Sequence, residues 1–374
     1  MSNKENTKSI SIRGRNSTKS ELSDQIIELE QRLEVTVLAR RAAEREAARE
    51  RRRRQNQEDL WKEVAGHFKG FNRLKRVPSV RKDTLRSPAG HVTVFTDWHI
   101  GSLVRPESMA GAIEYNSDIA YRALHDIIER MITDVEHERR TRPVDDTLIV
   151  SLGDLIDGEI HPDNNWSRDL TPPESAALAG EMLGEVIDLY ARHFKTVTAL
   201  LVGGSNHERT TAKPVFERGA ELSLGYLIRK IAESAVKHHP NVRVISPTDL
   251  EPVIEWRGKH WGALHGHQIP IRNRTPIPGM EDYYDGFQTQ RVSLGLPPVE
   301  MLMMGHVHQH TVCRGGRRVS FPPLCGSSQR TKSLYKVIDH GAQMSFLHGR
   351  EGPFAFTQYA RRSQPGGDDG CKET

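Results

Sequence analysis

Five short clusters of Asp, His and Asn follow one another along the 374-residue sequence. They are Asp97-Trp98-His99, Gly153-Asp154-Leu155-Ile156-Asp157, Ser205-Asn206-His207-Glu208, His265-Gly266-His267 and Gly305-His306-Val307-His308. Carboxylate and imidazole donors together suit Mn²⁺, Fe²⁺, Co²⁺ or Zn²⁺ better than Ca²⁺ or Mg²⁺. Two ligands one residue apart, as in Asp97-x-His99 and His306-x-His308, can face one site on a straight strand or at a turn. One such pair is ordinary surface composition. Five in one order, most of them closing an apolar β-branched run, point to a crevice at the strand ends of an α/β sheet, where loops gather. The donors suffice for two divalent cations.

The elements that must position these clusters are read from periodicity. Strands are expected over 91–96 (before Asp97), 147–152 (before Asp154), 197–202 (before Asn206), 242–245, 253–256, 260–264 (before His265), 301–304 (before His306), 318–321 and 343–347. Helices are expected over 119–135, 178–190 and 215–235. Early alternation followed by a strand-rich second half predicts an α/β fold of two sheets packed face to face with helices outside.

The set Asp-x-His, Gly-Asp-x-x-Asp, Asn-His-Glu, His-Gly-His and Gly-His-x-His resembles the calcineurin-like metallophosphoesterase superfamily over about residues 91–330. The resemblance implies two packed mixed β-sheets flanked by helices and a dinuclear-metal phosphoester hydrolase, in which a metal-held hydroxide attacks phosphorus. It implies that Asp97, His99, Asp154 and His308 hold one metal. Asp154 bridges to a second, held also by Asn206, His265 and His306. His207 would lie beside the phosphate as the assisting catalytic residue, and Asp157 would orient it. Mn²⁺ is the first choice of ion, with Fe²⁺, Zn²⁺ or Co²⁺ as alternatives. Two positions need comment. Ser205 stands where the family has Gly before Asn-His. His267 competes with His265; His265 directly follows a strand and is taken as the ligand, with His267 behind it or on the substrate side.

The charge count agrees with this chemistry. Asp97 and Asp154 contribute −2 against +4 from two ions, leaving a surplus that attracts a phosphate ester. That surplus also lowers the pKa of bound water from about 15.7 toward neutrality.

The substrate is less legible. Gly158 follows Asp157 where the phosphoprotein phosphatase branch has Arg, which argues against a protein phosphatase. Trp166 and Arg168 in the loop 161–174, then Arg272, Arg274, Tyr283, Tyr284 and Arg291 within 269–298, interleave aromatic and basic groups. Arg314, Arg317, Arg318, Arg330, Lys332 and Lys336 follow. Such groups suit a nucleic-acid strand, or a solvated face. The combination resembles the exonuclease-like branch of the superfamily, including phosphoesterases of bacteriophage genomes.

Residues 1–90 carry 22 of the 53 Lys/Arg and 13 of the 49 Asp/Glu, a net of +9, whereas the remainder nets −5. The basic excess therefore belongs to an N-terminal arm suited to nucleic acid. Leu22, Ile26, Leu29 and Leu33 follow coiled-coil spacing, which predicts self-association. The expected organisation is a disordered tail (1–20), an extended basic helical arm (21–80), a linker (81–90), the catalytic domain (91–360) and a second tail (361–374). No apolar run approaches the roughly 18–20 residues that span a bilayer, and no secretion signal is visible. Cys313, Cys325 and Cys371 are scattered without metal spacing and read as ordinary small apolar or surface residues of a cytoplasmic protein. The leading reading is a phosphodiesterase acting on DNA. A phosphomonoesterase or nucleotide hydrolase of the same fold, and a scaffold with a vestigial site, are the alternatives.

Overall fold

The apolar runs of the sequence become eleven strands in two sheets in the computed structural model, which describes residues 86–160, 167–211, 213, 218–270, 277–335 and 338–362. The N-terminal arm and its apolar spacing, Trp166, Arg272, Arg274 and Lys336 lie outside the described residues.

In the first sheet β1 (Gly90–Phe95), β2 (Asp146–Ser151), β3 (Thr196–Leu201) and β4 (Val242–Ile245) run parallel. Antiparallel β10 (Ala342–Gly349) and β11 (Gly352–Ala360) extend it beyond β1. The second sheet has the order β5 (Val253–Trp256), β6 (Lys259–Leu264), β7 (Met301–Met304), β9 (Arg318–Ser320), β8 (Thr311–Cys313). Its three central strands are parallel and its edges antiparallel, so both sheets are mixed.

Strand alternation builds three apolar layers. Val92, Val94, Leu148, Val150 and Leu200 meet Trp261, Ala263, Met301, Met303 and Val319 between the sheets. The opposite face of the first sheet, including Ile149, Val197 and Ala199, packs on helices α1 (Ser117–Arg139), α2 (Pro172–His193) and α3 (Leu224–Val236). Leu302 and Met304 on the outer face of the second sheet pack on α4 (Ile277–Ser293) through Met280, Tyr284 and Phe287. The expected two-sheet sandwich with outer helices is the observed fold. Among the described residues no helix is long and apolar enough to cross a membrane.

Several expectations need correction. Residues 218–222 form turns, so the helix expected over 215–235 begins only at Leu224. Pro172 and Pro173, read as loop, are the first turn of α2; proline suits that turn because its amide would be unpaired there. Segment 269–298, for which no helix was expected, contains α4. Its tyrosines serve the fold: Tyr284 is buried with its hydroxyl on the Val299 carbonyl, and the Tyr283 hydroxyl bonds Glu251. Arg291 Nε donates to Pro297 O at 2.8 Å. Arg318, expected on the surface, is 1 % exposed, stacked 4.2 Å from the Tyr284 ring centroid and paired with Asp285. Lys332 Nζ donates to Ser108 O at 3.2 Å. A short helix α5 (Gln329–Tyr335) and strands β8 and β11 carry no clear periodicity in the sequence.

Candidate metal centre

All five clusters leave the C-terminal ends of parallel strands: β1, β2 and β3 of one sheet, β6 and β7 of the other. The chain must turn sharply there to bring side chains back over the strand ends. It does so through left-handed backbone at Asp97 (φ 51°), His99 (49°), Asp154 (50°), His306 (66°) and His308 (52°). These are five of the nine such non-glycine residues among those described. The conformation costs about 1–2 kcal/mol per residue, so surrounding bonds must hold it. The amides of Asp97 and His99 donate to the carbonyls of Gly153 (3.1 Å) and Asp154 (3.0 Å), zipping the first two loops together. Asp97 Oδ2 accepts Thr96 Oγ1 (2.6 Å) and the His306 amide (3.1 Å), tying the first sheet to the second. A Cβ on Gly305 would sit 2.6 Å from that same Oδ2, so the glycine makes the approach possible.

Donor atoms of Asp97, His99 and Asp154 lie within 4.8 Å of one another, and so do those of Asp154, His265 and His306. Asp154 belongs to both groups. His308 Nε2 joins the first, 3.2 Å from Asp97 Oδ1 and 3.3 Å from His99 Nε2. His265 Nε2 is 2.9 Å from Asp154 Oδ2. The far nitrogens are anchored: His99 Nδ1 to Asp157 Oδ1 at 3.1 Å, His265 Nδ1 to Leu152 O at 3.1 Å. Anchoring of one ring nitrogen fixes the tautomer and leaves the lone pair of the other for a cation. Asp97 Oδ1, Asn206 Oδ1 and His265 Nε2 are buried and lack a hydrogen bond. For Asp97 and His265 the neighbouring charge is at ion-pair distance but out of line for a hydrogen bond. An unpaired buried polar atom costs about 1–3 kcal/mol. Asp97 Oδ1 belongs to the first donor group and His265 Nε2 to the second, and each fits a divalent cation in its group.

The other cluster members surround this core. His207 donates its amide to Asp154 Oδ1 (2.9 Å), and its Nδ1 lies 3.4 Å from Asp157 Oδ1. Its ring meets that of His99 edge-on at 4.5 Å. The ring of His267 is 5.8 Å from His265 and 6.3 Å from His306, outside either donor group. Ser205, where the resemblance led us to expect glycine, accepts the Asp154 amide on Oγ at 3.0 Å. Glu208 accepts the Leu155 amide at 3.1 Å and is 2 % exposed. Sequence reasoning gave Glu208 no role; its place directly after Asn206-His207 was the signal available.

The electrostatics follow from burial against pairing. Burial would raise Asp97, but His308 and His99 outweigh it and hold the carboxyl below its usual range. Burial likewise opposes, and His265 and His207 prevail, at Asp154, which is held well below. Burial would lower His265, yet Asp154 lifts it to about 9. Burial and then His265 push His306 down to about 3 and His267 to about 4. Burial and Asp154 raise Glu208. Burial thus disfavours a charge on His306, while Asp154 favours positive charge at His265, as it would favour a cation there.

No family model and no curated protein matches this sequence. Among solved structures it is similar to zinc-complexed Vps29 from Entamoeba histolytica (11 % identity, 73 % of this chain and 99 % of that one, TM-score 0.29). It is also similar to vacuolar protein sorting 29 from Cryptosporidium parvum (11 %, 73 % and 98 %, 0.30) and a predicted phosphoesterase from Streptococcus pneumoniae (11 %, 49 % and 91 %, 0.23). Likenesses of this size say only what the chain is similar to; the two-sheet fold and its convergent donors rest on the contacts described above.

Proposed function

We propose that this chain is a phosphoester hydrolase that works with two divalent ions and takes a phosphodiester, DNA, as substrate. The observation that carries the reading is the sharing of Asp154 between two donor groups, each holding a buried atom that lacks a hydrogen bond, Asp97 Oδ1 in one and His265 Nε2 in the other. Asp97, His99, Asp154 and His308 would hold one ion, and Asp154, Asn206, His265 and His306 the other. Such a pair supplies, when bound, Lewis-acid stabilisation of phosphoryl oxygens and a lowered water pKa. His207, beside both groups but in neither ion's set, delivers a proton to the leaving oxygen; general acid help of this kind is worth about 10²–10⁴-fold. Asp157 keeps its ring in place. Ser205 and Glu208 hold the amides of Asp154 and Leu155 and so fix the loop that carries the bridging carboxylate.

The DNA part of the reading draws on the basic N-terminal segment. A specific observation favours a second reading, a nucleotide or other small phosphomonoester: Tyr283, Tyr284, Arg291 and Arg318 are engaged within the fold rather than offered to a strand. Hydrolysis of bis-p-nitrophenyl phosphate against p-nitrophenyl phosphate with Mn²⁺, followed by nicking of circular DNA, separates the two. Preference for the diester together with nicking supports a nuclease. Preference for the monoester without nicking overturns that part.

A further inference from the structure

Cys325, on the segment between β9 and α5, lies against the first donor group. Its amide and that of Leu324 both donate to the Asp97 carbonyl, at 3.3 and 3.1 Å, so its backbone is pinned to a candidate ligand. The side chain is buried, and its sulfur lies within 4.8 Å of donor nitrogens of His99 and His308, which lie equally close to each other. Among the described residues its side chain makes one hydrogen bond, Sγ to Gly326 O at 3.3 Å, the carbonyl of the next residue. A second, independent observation points to the same spot. Asp97 Oδ1 is wholly buried, has no hydrogen bond, and stands 3.2 Å from His308 Nε2 and 3.8 Å from His99 Nε2. Two nitrogens and one sulfur thus lie within one metal-sized group, and the unbonded Asp97 oxygen stands beside the same two histidines. Metal–sulfur bonds of about 2.3 Å and metal–nitrogen bonds of about 2.0–2.1 Å close such a set with small side-chain adjustments.

We propose that Cys325 is a ligand of the ion held by Asp97, His99 and His308, which makes this half of the centre a site for a thiophilic cation such as Zn²⁺, Fe²⁺ or Co²⁺. The inference rests on the two-ion reading above and refines it. Metal binding breaks the S–H bond, the sulfur lone pair goes to the cation and the proton to solvent. A thiolate donor favours these ions over Mn²⁺ and Mg²⁺, so the two halves of the centre differ in the metal they select.

X-ray absorption of the full-length chain loaded with Zn²⁺ tests this without any variant. The expected result is a sulfur shell near about 2.3 Å beside nitrogen and oxygen. The same protein loaded with Co²⁺ should show a near-ultraviolet sulfur-to-cobalt charge-transfer band. Both signals should persist in Cys313→Ser and vanish in Cys325→Ser, whose preference for Zn²⁺ over Mn²⁺ should fall by about tenfold or more. Bound zinc with only nitrogen and oxygen neighbours overturns the Cys325 assignment and leaves the two-ion reading standing. Failure to bind zinc, cobalt or manganese at all overturns both.

Discussion

The Asp157 carboxylate stands 3.1 Å from Nδ1 of His99. The same oxygen lies 3.4 Å from Nδ1 of His207. Sequence reasoning gave Asp157 to His207 alone; the structure places it between a candidate metal ligand and the candidate acid. An amide in its place keeps an acceptor oxygen but carries no negative charge, so it holds and polarises both rings more weakly. Asp157→Asn should therefore lower metal affinity by about 10–100-fold, the usual effect of losing a partner behind a ligating histidine, and lower turnover as well. His207→Ala should keep its metal and lose about 10²-fold in turnover. Metal content by mass spectrometry beside initial rates checks both, and full metal affinity in Asp157→Asn would contradict the shared role.

Gly158 explains itself through His207. A Cβ at residue 158 would lie 1.8 Å from the His207 carbonyl oxygen, and the backbone there has φ +35°. Gly158→Ala should destabilise the protein by about 2–4 kcal/mol and reduce turnover by displacing His207. Gly286, inside α4, has no atom within 4 Å of its would-be Cβ. Gly286→Ala should be neutral or stabilise by up to about 1 kcal/mol. Thermal melts of the two variants should move in opposite directions or differ sharply; equal melts would contradict the packing described.

Away from the metal centre, His91 gives a pH signature. It is buried, stacked 5.9 Å from Tyr190 and 5.5 Å from Phe194, with Nδ1 on Thr147 Oγ1. Burial and the nearby Arg139 charge push it down to about 3. The unfolded chain binds this proton below about 6.5 and the folded chain does not until about 3, so stability rises with pH across that window. Between pH 7 and pH 5 the protein should lose ~2 kcal/mol more than His91→Phe does. Urea denaturation at the two values measures this. Parallel pH profiles for the two proteins would contradict a neutral buried His91.

The ligand clusters were legible because each closes an apolar run, β-branched in the first three, and strand ends in α/β sheets gather at one edge. The left-handed backbone at Asp97, His99, Asp154, His306 and His308 was not, since Asp and His enter it more readily than most residues but their type alone does not locate it; bonds to other loops impose it. The helix Ile277–Ser293 escaped because Pro278, Gly279 and Gly286 interrupt its apolar spacing. Arg318 looked like surface charge because its partners, Tyr284 and Asp285, lie 34 and 33 residues away and meet it only once α4 packs on the second sheet. Cys325 looked ordinary for the same reason: the atoms that give it meaning belong to Asp97, His99 and His308.

Stoichiometric reconstitution tests the central claim most directly. Full-length protein stripped with a chelator and titrated with Mn²⁺ should hydrolyse bis-p-nitrophenyl phosphate in proportion to metal added, reaching its plateau at two ions per chain. Asp154→Ala, lacking the carboxylate common to both donor groups, should bind neither ion tightly and stay inactive. Two ions bound with no hydrolysis of diester or monoester, or hydrolysis undiminished in the stripped protein, would contradict the account.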